Sequence, residues 1–156
     1  MLNNIMTEGE CSKLRSLIHH ANNIVLCCHV SPDGDAIGSV LGMAEVLKCM
    51  GKEPVMVVPD QFPDYLQWLP NTEKIVRYDK RSDYVDMVLK IADLVICLDF
   101  NALSRTDDME AALEACTAPR VLIDHHLNPS IACQVCVSHP NMSSASELVF
   151  RVAWQL

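Results

Sequence analysis

The sequence predicts an α/β protein, a doubly wound and mainly parallel sheet flanked by helices. Three observations predict it. Apolar runs of strand length, Ile24–Cys28, Leu94–Phe100 and Arg120–Ile123, are separated by stretches of helical periodicity. Strands that alternate with helices require crossover connections, and so parallel pairing. Each of these runs also ends on polar residues able to do chemistry, and open parallel sheets bind ligands beyond the carboxyl ends of their strands.

Composition sets the bounds. The chain has 156 residues, enough for one domain with its own core, and 50% are hydrophobic against 21% charged, as in a globular protein. A net charge of −8 and a pI near 5.1 argue against a basic surface that coats nucleic acid. They leave room for a nucleotide substrate, because bound divalent cations would offset carboxylates locally. No apolar run approaches the ~20 residues of a membrane span, and Met1–Ser12 lacks the apolar core of a signal peptide, so a cytoplasmic chain with no membrane partner is expected. Of eight cysteines, Cys27, Cys28, Cys97 and Cys116 lie in or beside apolar runs, where reduced thiols pack as small hydrophobes. Cys133-Gln-Val-Cys136 has CxxC spacing but no second pair, and reads as core or surface cysteine rather than a zinc site.

The elements follow in order. Thr7–Ala21 is an opening helix, with Leu14, Leu17, Ile18 and Ala21 on one face and His19 and His20 in its last turn, where the helix dipole favours them. Strand Ile24–Cys28 leads into a turn, then a helix from Ala36 to Met50. Ile37, Val40, Leu41, Ala44 and Leu47 form its inner face, Gly38 and Gly42 allow close approach to the sheet, and Gly51 ends it. Pro54–Val58 is a strand, Pro59–Pro70 an irregular excursion rich in proline and aromatics, Ile75–Tyr78 a short strand and Tyr84–Ala92 a helix. After Leu94–Phe100, Asp107 or Asp108 caps a helix that runs to Cys116. Arg120–Ile123 and Ile131–Val137 are strands, and Ser144-Ala-Ser-Glu147 is a capping box opening a last helix through Trp154. There is no repeat, low-complexity tract or linker, so a single domain is expected.

The turn after the first strand, His29-Val-Ser-Pro-Asp-Gly-Asp35, carries three metal-binding side chains in seven residues, His29, Asp33 and Asp35. Packing asks for no such crowd, and carboxylates that close repel unless a cation separates them. The Leu94 strand ends on Asp99, and the Arg120 strand on Asp124, His125 and His126. All would share one sheet edge. Four carboxylates and three imidazoles suit Mn²⁺, Mg²⁺ or similar cations, and exceed what one ion needs. Two ions sharing a carboxylate is the natural reading. Any one of these residues alone would be an ordinary cap, turn or strand-end residue. Arg105 could reach a phosphate, though a solvated arginine there is as ordinary, and His139 reads as a loop residue.

The spacing His29-x-x-x-Asp33-x-Asp35-Ala-x-Gly-Ser39, followed by Leu98-Asp99 and Asp124-His125-His126, resembles motifs I, II and III of the DHH phosphoesterases. Ser143-Ser-Ala-Ser-Glu147 is most similar to the branch of nanoRNases and phosphoadenosine-phosphate phosphatases. The resemblance implies one metal on His29, Asp33 and Asp99 and a second on Asp35, Asp99 and His125, with Asp99 bridging. It implies that His126 faces the phosphate as a catalytic group and that Asp124 supports an imidazole or a water. Mn²⁺ is the implied cofactor, two ions in the complete protein, with Mg²⁺ or Co²⁺ as substitutes. The partner it implies is a nucleotide or short RNA substrate. Inorganic pyrophosphatase, cyclic-dinucleotide phosphodiesterase and a non-catalytic metal-stabilised binding module stay open as alternatives. The family also carries a fourth motif, an aspartate, and a C-terminal substrate-binding domain. Neither falls within the 30 residues after His126, so the chain is expected to be a fragment of a longer protein, nearly inactive alone and open to self-association as a homo-oligomer.

Overall fold

The computed structural model describes residues 3–156. Its elements are α1 (Glu8–His20), β1 (Ile24–Cys27), α2 (Gly34–Cys49), β2 (Val55–Val58), β3 (Val76–Arg77), α3 (Tyr78–Ile91), β4 (Leu94–Leu98), α4 (Glu110–Ala115), β5 (Arg120–Asp124), β6 (Val135–Ser138) and α5 (Ala145–Gln155). The six strands form one sheet in the order β3-β2-β1-β4-β5-β6, and every pairing is parallel. The expected doubly wound sheet is present.

Alternation along each strand explains the two layers. Ile24 and Leu26 of β1, Leu94, Ile96 and Leu98 of β4, and Val121 and Ile123 of β5 face α1, α2 and α5. Val25, Cys27, Val95, Cys97 and Leu122 face α3 and α4. Both faces are covered, so the strands read as unbroken apolar runs. The chain winds outward from β1 through β2 to β3, then restarts at β4 and winds the other way. The order therefore reverses between β1 and β4, and at such a switch point the loops diverge and leave a crevice beyond the carboxyl ends. His29 follows β1 and Asp99 follows β4.

Several expectations are refined. Gly51, with φ +79°, closes α2 in a Schellman motif, the Lys52 amide bonding Leu47 O and the Gly51 amide bonding Lys48 O. Gly38 and Gly42 admit α5 rather than the sheet: a Cβ on Gly42 would lie 3.5 Å from Val149 Cγ1, and one on Gly38 3.9 Å from Ser146 Cβ. The helix expected from Asp107 or Asp108 has neither as its cap. Leu103–Met109 is a 3-10 segment broken at Asp107, φ +50°, and α4 starts after Met109 with no side-chain cap. The capping box at Ser144 is half formed: Ser144 accepts from the Glu147 amide, but the Glu147 carboxylate turns to Ser143 and Arg151. The full box lies at α1, where Thr7 and Glu10 cap each other. All eight cysteines are free thiols, and among the described residues no helix is long and apolar enough to cross a membrane.

Candidate metal centre

Asp99 sits where the site begins. It follows the last residue of β4, is 2% exposed, and has φ +64°, a left-handed conformation that Asp tolerates better than most residues. Its amide keeps the sheet ladder by bonding Ile123 O at 3.1 Å. Asp99 Oδ2 lies 3.5 Å from His29 Nε2, and Oδ1 lies 3.4 Å from His125 Nε2. Among the described residues Oδ1 is buried with no hydrogen-bond partner. A buried anionic oxygen left in that state costs on the order of 1–3 kcal/mol, more when charged, unless a ligand satisfies it.

The imidazoles are aimed. His29 Nδ1 lies 2.7 Å from Val30 O, and His125 Nδ1 lies 3.2 Å from Met142 O. Carbonyls only accept, so each Nδ1 carries the proton and each Nε2 offers a lone pair toward Asp99. This second hydrogen bond is the usual way a protein fixes a ligating tautomer. Asp33 Oδ1 is 3.9 Å from His29 Nε2 and the Asp33 side chain is open to solvent. Asp33 also caps α2, accepting from the Ala36 amide at 3.0 Å. Asp35 Oδ2 is 3.6 Å from His125 Nε2. Both Asp35 oxygens meanwhile accept from the head of α5, from the Ala145 and Ser146 amides at 2.9 and 2.8 Å. A helix N-terminus favours a carboxylate.

Two sets of ligand atoms lie within 4.8 Å of one another, His29–Asp33–Asp99 and Asp99–His125–His126, and they share Asp99. Sequence reasoning expected the sharing. It expected Asp35 beside His125, where Asp35 stands at 3.6 Å, and it expected His126 to face the phosphate, whereas a ligand atom of His126 also falls within the Asp99–His125 set. The His126 ring is held by Asp124, a fully buried carboxylate that accepts from Nδ1 at 2.7 Å and from the His126 amide at 3.1 Å. With Nδ1 so engaged, Nε2 of a one-third-exposed ring is the atom left for a ligand. Arg105 is tied to the site by its backbone, its carbonyl accepting from the Val30 amide at 2.7 Å, while the side chain is exposed. His139 follows β6, and its Nε2 bonds Ile5 O at 2.8 Å, away from the centre.

Charge in the cluster is unbalanced. The facing Asp99 carboxylate raises the His29 pKa above its ordinary 6.5 despite burial, with the Val30 carbonyl adding to the rise. Burial raises that of Asp99 above its ordinary 3.8, opposed by His29 and reinforced by Asp35 and Asp33. A cation at the shared oxygens would relieve both. The residues therefore fit a divalent ion on chemistry as well as on spacing.

Sequence reasoning missed Asp60. Its Oδ1 accepts from the Ser31 amide at 2.6 Å and its Oδ2 from the Ser31 hydroxyl at 3.4 Å. Ser31 has φ +51°, so Asp60 holds the strained corner that turns His29 and Asp33 toward Asp99. The only hint was a carboxylate soon after a strand. A separate cavity of about 610 Å³, lined by Tyr78, Lys90 and Ala112 among others, lies between α3 and α4 and contains none of the clustered residues.

Residues 23–155 match the profile of the DHH family, N-terminal domain. The chain belongs to the DHH family. It is 33% identical over 129 residues to the bifunctional oligoribonuclease and PAP phosphatase NrnA of Thermus thermophilus, covering 81% of this chain and 35% of that protein. It thus spans about a third of the length of this curated DHH relative. The crystal structure of an exopolyphosphatase-related protein from Bacteroides fragilis superposes with a TM-score of 0.94 at 41% identity, covering 97% of this chain and 44% of that one. Exonuclease RecJ bound to manganese superposes at 0.55 with 14% identity, covering 99% of this chain and 39% of RecJ, and shares the fold.

Proposed function

We propose that this DHH domain is the metal-binding part of a phosphoester hydrolase acting on short oligoribonucleotides or 3′-phosphoadenosine 5′-phosphate. The observation that carries the reading is Asp99, a buried carboxylate whose free oxygen faces an imidazole and whose other oxygen faces a second. His29, Asp33 and Asp99 would hold one ion; Asp99 and His125, with the remaining lone pairs of Asp35, would hold the other. The mixed oxygen and imidazole set suits Mn²⁺, with Mg²⁺ or Co²⁺ able to substitute. Bound there, such ions lower the pKa of water and spread the charge of an in-line displacement at phosphorus.

The chain's own residues do the rest. Asp124 fixes the proton on His126 Nδ1 and so leaves Nε2 as the atom suited to exchange a proton with a phosphate or leaving-group oxygen. Val30 O and Met142 O keep the other imidazoles from turning away. No group in the cluster is placed as a nucleophile with its own base, so direct attack by water is the consistent route. The named activities of the Thermus relative support the nucleotide substrates.

Calorimetry with Mn²⁺ on the chain and two variants tests the reading. Asp99→Asn is expected to lose binding at both sets, whereas Asp124→Asn is expected to bind Mn²⁺ nearly as the parent does. Equal binding by parent and Asp99→Asn would sink it. Hydrolysis of an oligoribonucleotide, phosphoadenosine phosphate and pyrophosphate then ranks substrates. Fastest turnover of pyrophosphate would favour the pyrophosphatase alternative.

A further inference from the structure

The excursion between β2 and β3 supplies Asp60 to the turn after β1, but the residues that follow Asp60 have no role in the chemistry above. A cleft of about 420 Å³ lies between Ser31-Pro32-Asp33 on one side and Gln61-Phe62-Pro63 on the other. Asp33 therefore belongs both to this cleft and to the His29–Asp33–Asp99 set. We propose that this cleft receives the nucleobase of a nucleotide whose phosphate lies at the carboxylates, with Phe62 as a specificity-determining residue. The proposal rests on the phosphoesterase reading.

Three features point to a flat, neutral occupant. The lining offers apolar ring surface from Pro32, Phe62 and Pro63 and one amide from Gln61, but no lysine or arginine. The one charged side chain in the lining is the Asp33 carboxylate, so a phosphate would meet like charge there. An aromatic base has what such walls accept, a π face for Phe62 and edges for an amide. The cleft is also built in advance of any ligand. Its two walls are joined by Asp60 through both Ser31 hydrogen bonds. Leu66 of the same excursion is buried and reaches the start of α2, within 3.8 Å of where a Gly34 Cβ would stand. Phe62 itself is half-buried against the core, which limits its freedom before binding.

Calorimetry in Mn²⁺ with AMP, ribose 5-phosphate and inorganic phosphate tests this on the whole chain, on Phe62→Ala and on Phe62→Leu. The leucine variant keeps packing bulk but removes the ring, and melting curves show that each variant is folded. AMP is expected to bind the parent on the order of tenfold more tightly than ribose 5-phosphate, the scale of one stacked base. Both variants are expected to lose that advantage while binding ribose 5-phosphate as the parent does. Equal binding of AMP and ribose 5-phosphate by the parent, or an AMP advantage that survives in both variants, overturns the proposal and leaves the phosphoesterase reading standing. Failure of all three ligands to bind overturns the proposal, while the phosphoesterase reading stands or falls on the Mn²⁺ titration of Asp99→Asn.

Discussion

Asp99 and His29 show how single residues couple the centre to pH. Without metal, the His29 pKa is raised by Asp99, so the proton on His29 stabilises the fold. That contribution is fully present below the unfolded value near 6.5 and is lost as pH rises through the higher folded value. Asp99, also raised, acts in the same direction from its own lower starting point. A divalent ion held there would take the place of the proton at Nε2. The melting-temperature gap between Mn²⁺ and chelator is therefore expected to widen as pH climbs past about 6.5. A gap that stays constant or narrows there would show that His29 does not contribute its lone pair. The charged residues of this cluster were legible because their types have no packing excuse at strand ends. The positive φ of Asp99 and the hold of Asp35 on α5 were not. The first accompanies the pairing of the Asp99 amide with Ile123 O and the second joins a side chain to a backbone 110 residues away, and no local pattern encodes either.

Among the elements, the turn after β1 is the one whose shape matters most, and Asp60 governs it from the end of β2. Asp60→Ala would release the Ser31 corner and let His29 and Asp33 relax apart. Mn²⁺ affinity at the His29–Asp33–Asp99 set is expected to fall roughly tenfold, as for other residues that position ligands without touching the ion. Asp60→Asn keeps an acceptor for the Ser31 amide and is expected to recover most of the affinity. Calorimetry in which alanine and asparagine behave alike, or like the parent, would remove Asp60 from any positioning role. The inner strands were readable to within two residues because both faces are buried, whereas β6, with Cys136 exposed, begins at Val135 rather than Ile131. Helix starts were less so. Thr7 and Glu10 form the reciprocal box that was expected at Ser144 and Glu147, because Arg151 one turn on captures the Glu147 carboxylate instead. Asp107 fails as a cap because its backbone is needed in a left-handed break between the 3-10 segment and α4.

At the scale of the molecule, the parallel sheet places the strand ends that lead to His29, Asp99 and His125 on one side, which the alternation of apolar runs already implied. The excursion that lines the cleft was visible only as an irregularity, since proline and aromatics announce a loop but not where it lies. The switch-point geometry has a kinetic side. Ile24 of β1 pairs with Leu94 of β4, 70 positions away, and this pairing closes after the whole β1-to-β3 half has been bridged. Contacts at such separation form slowly, because loop entropy is lost before they contribute. The shared carboxylate and the imidazole of His29 meet only once that pairing exists, so an unfolded or half-wound chain has no site to offer. In a denaturant chevron, Mn²⁺ is accordingly expected to slow the unfolding arm and leave the refolding arm nearly unchanged. An ion that instead accelerated refolding would mean the ligands gather before the sheet does. With only the unfolding arm slowed, the metal would act as a latch on a finished fold, lengthening its lifetime without guiding its assembly.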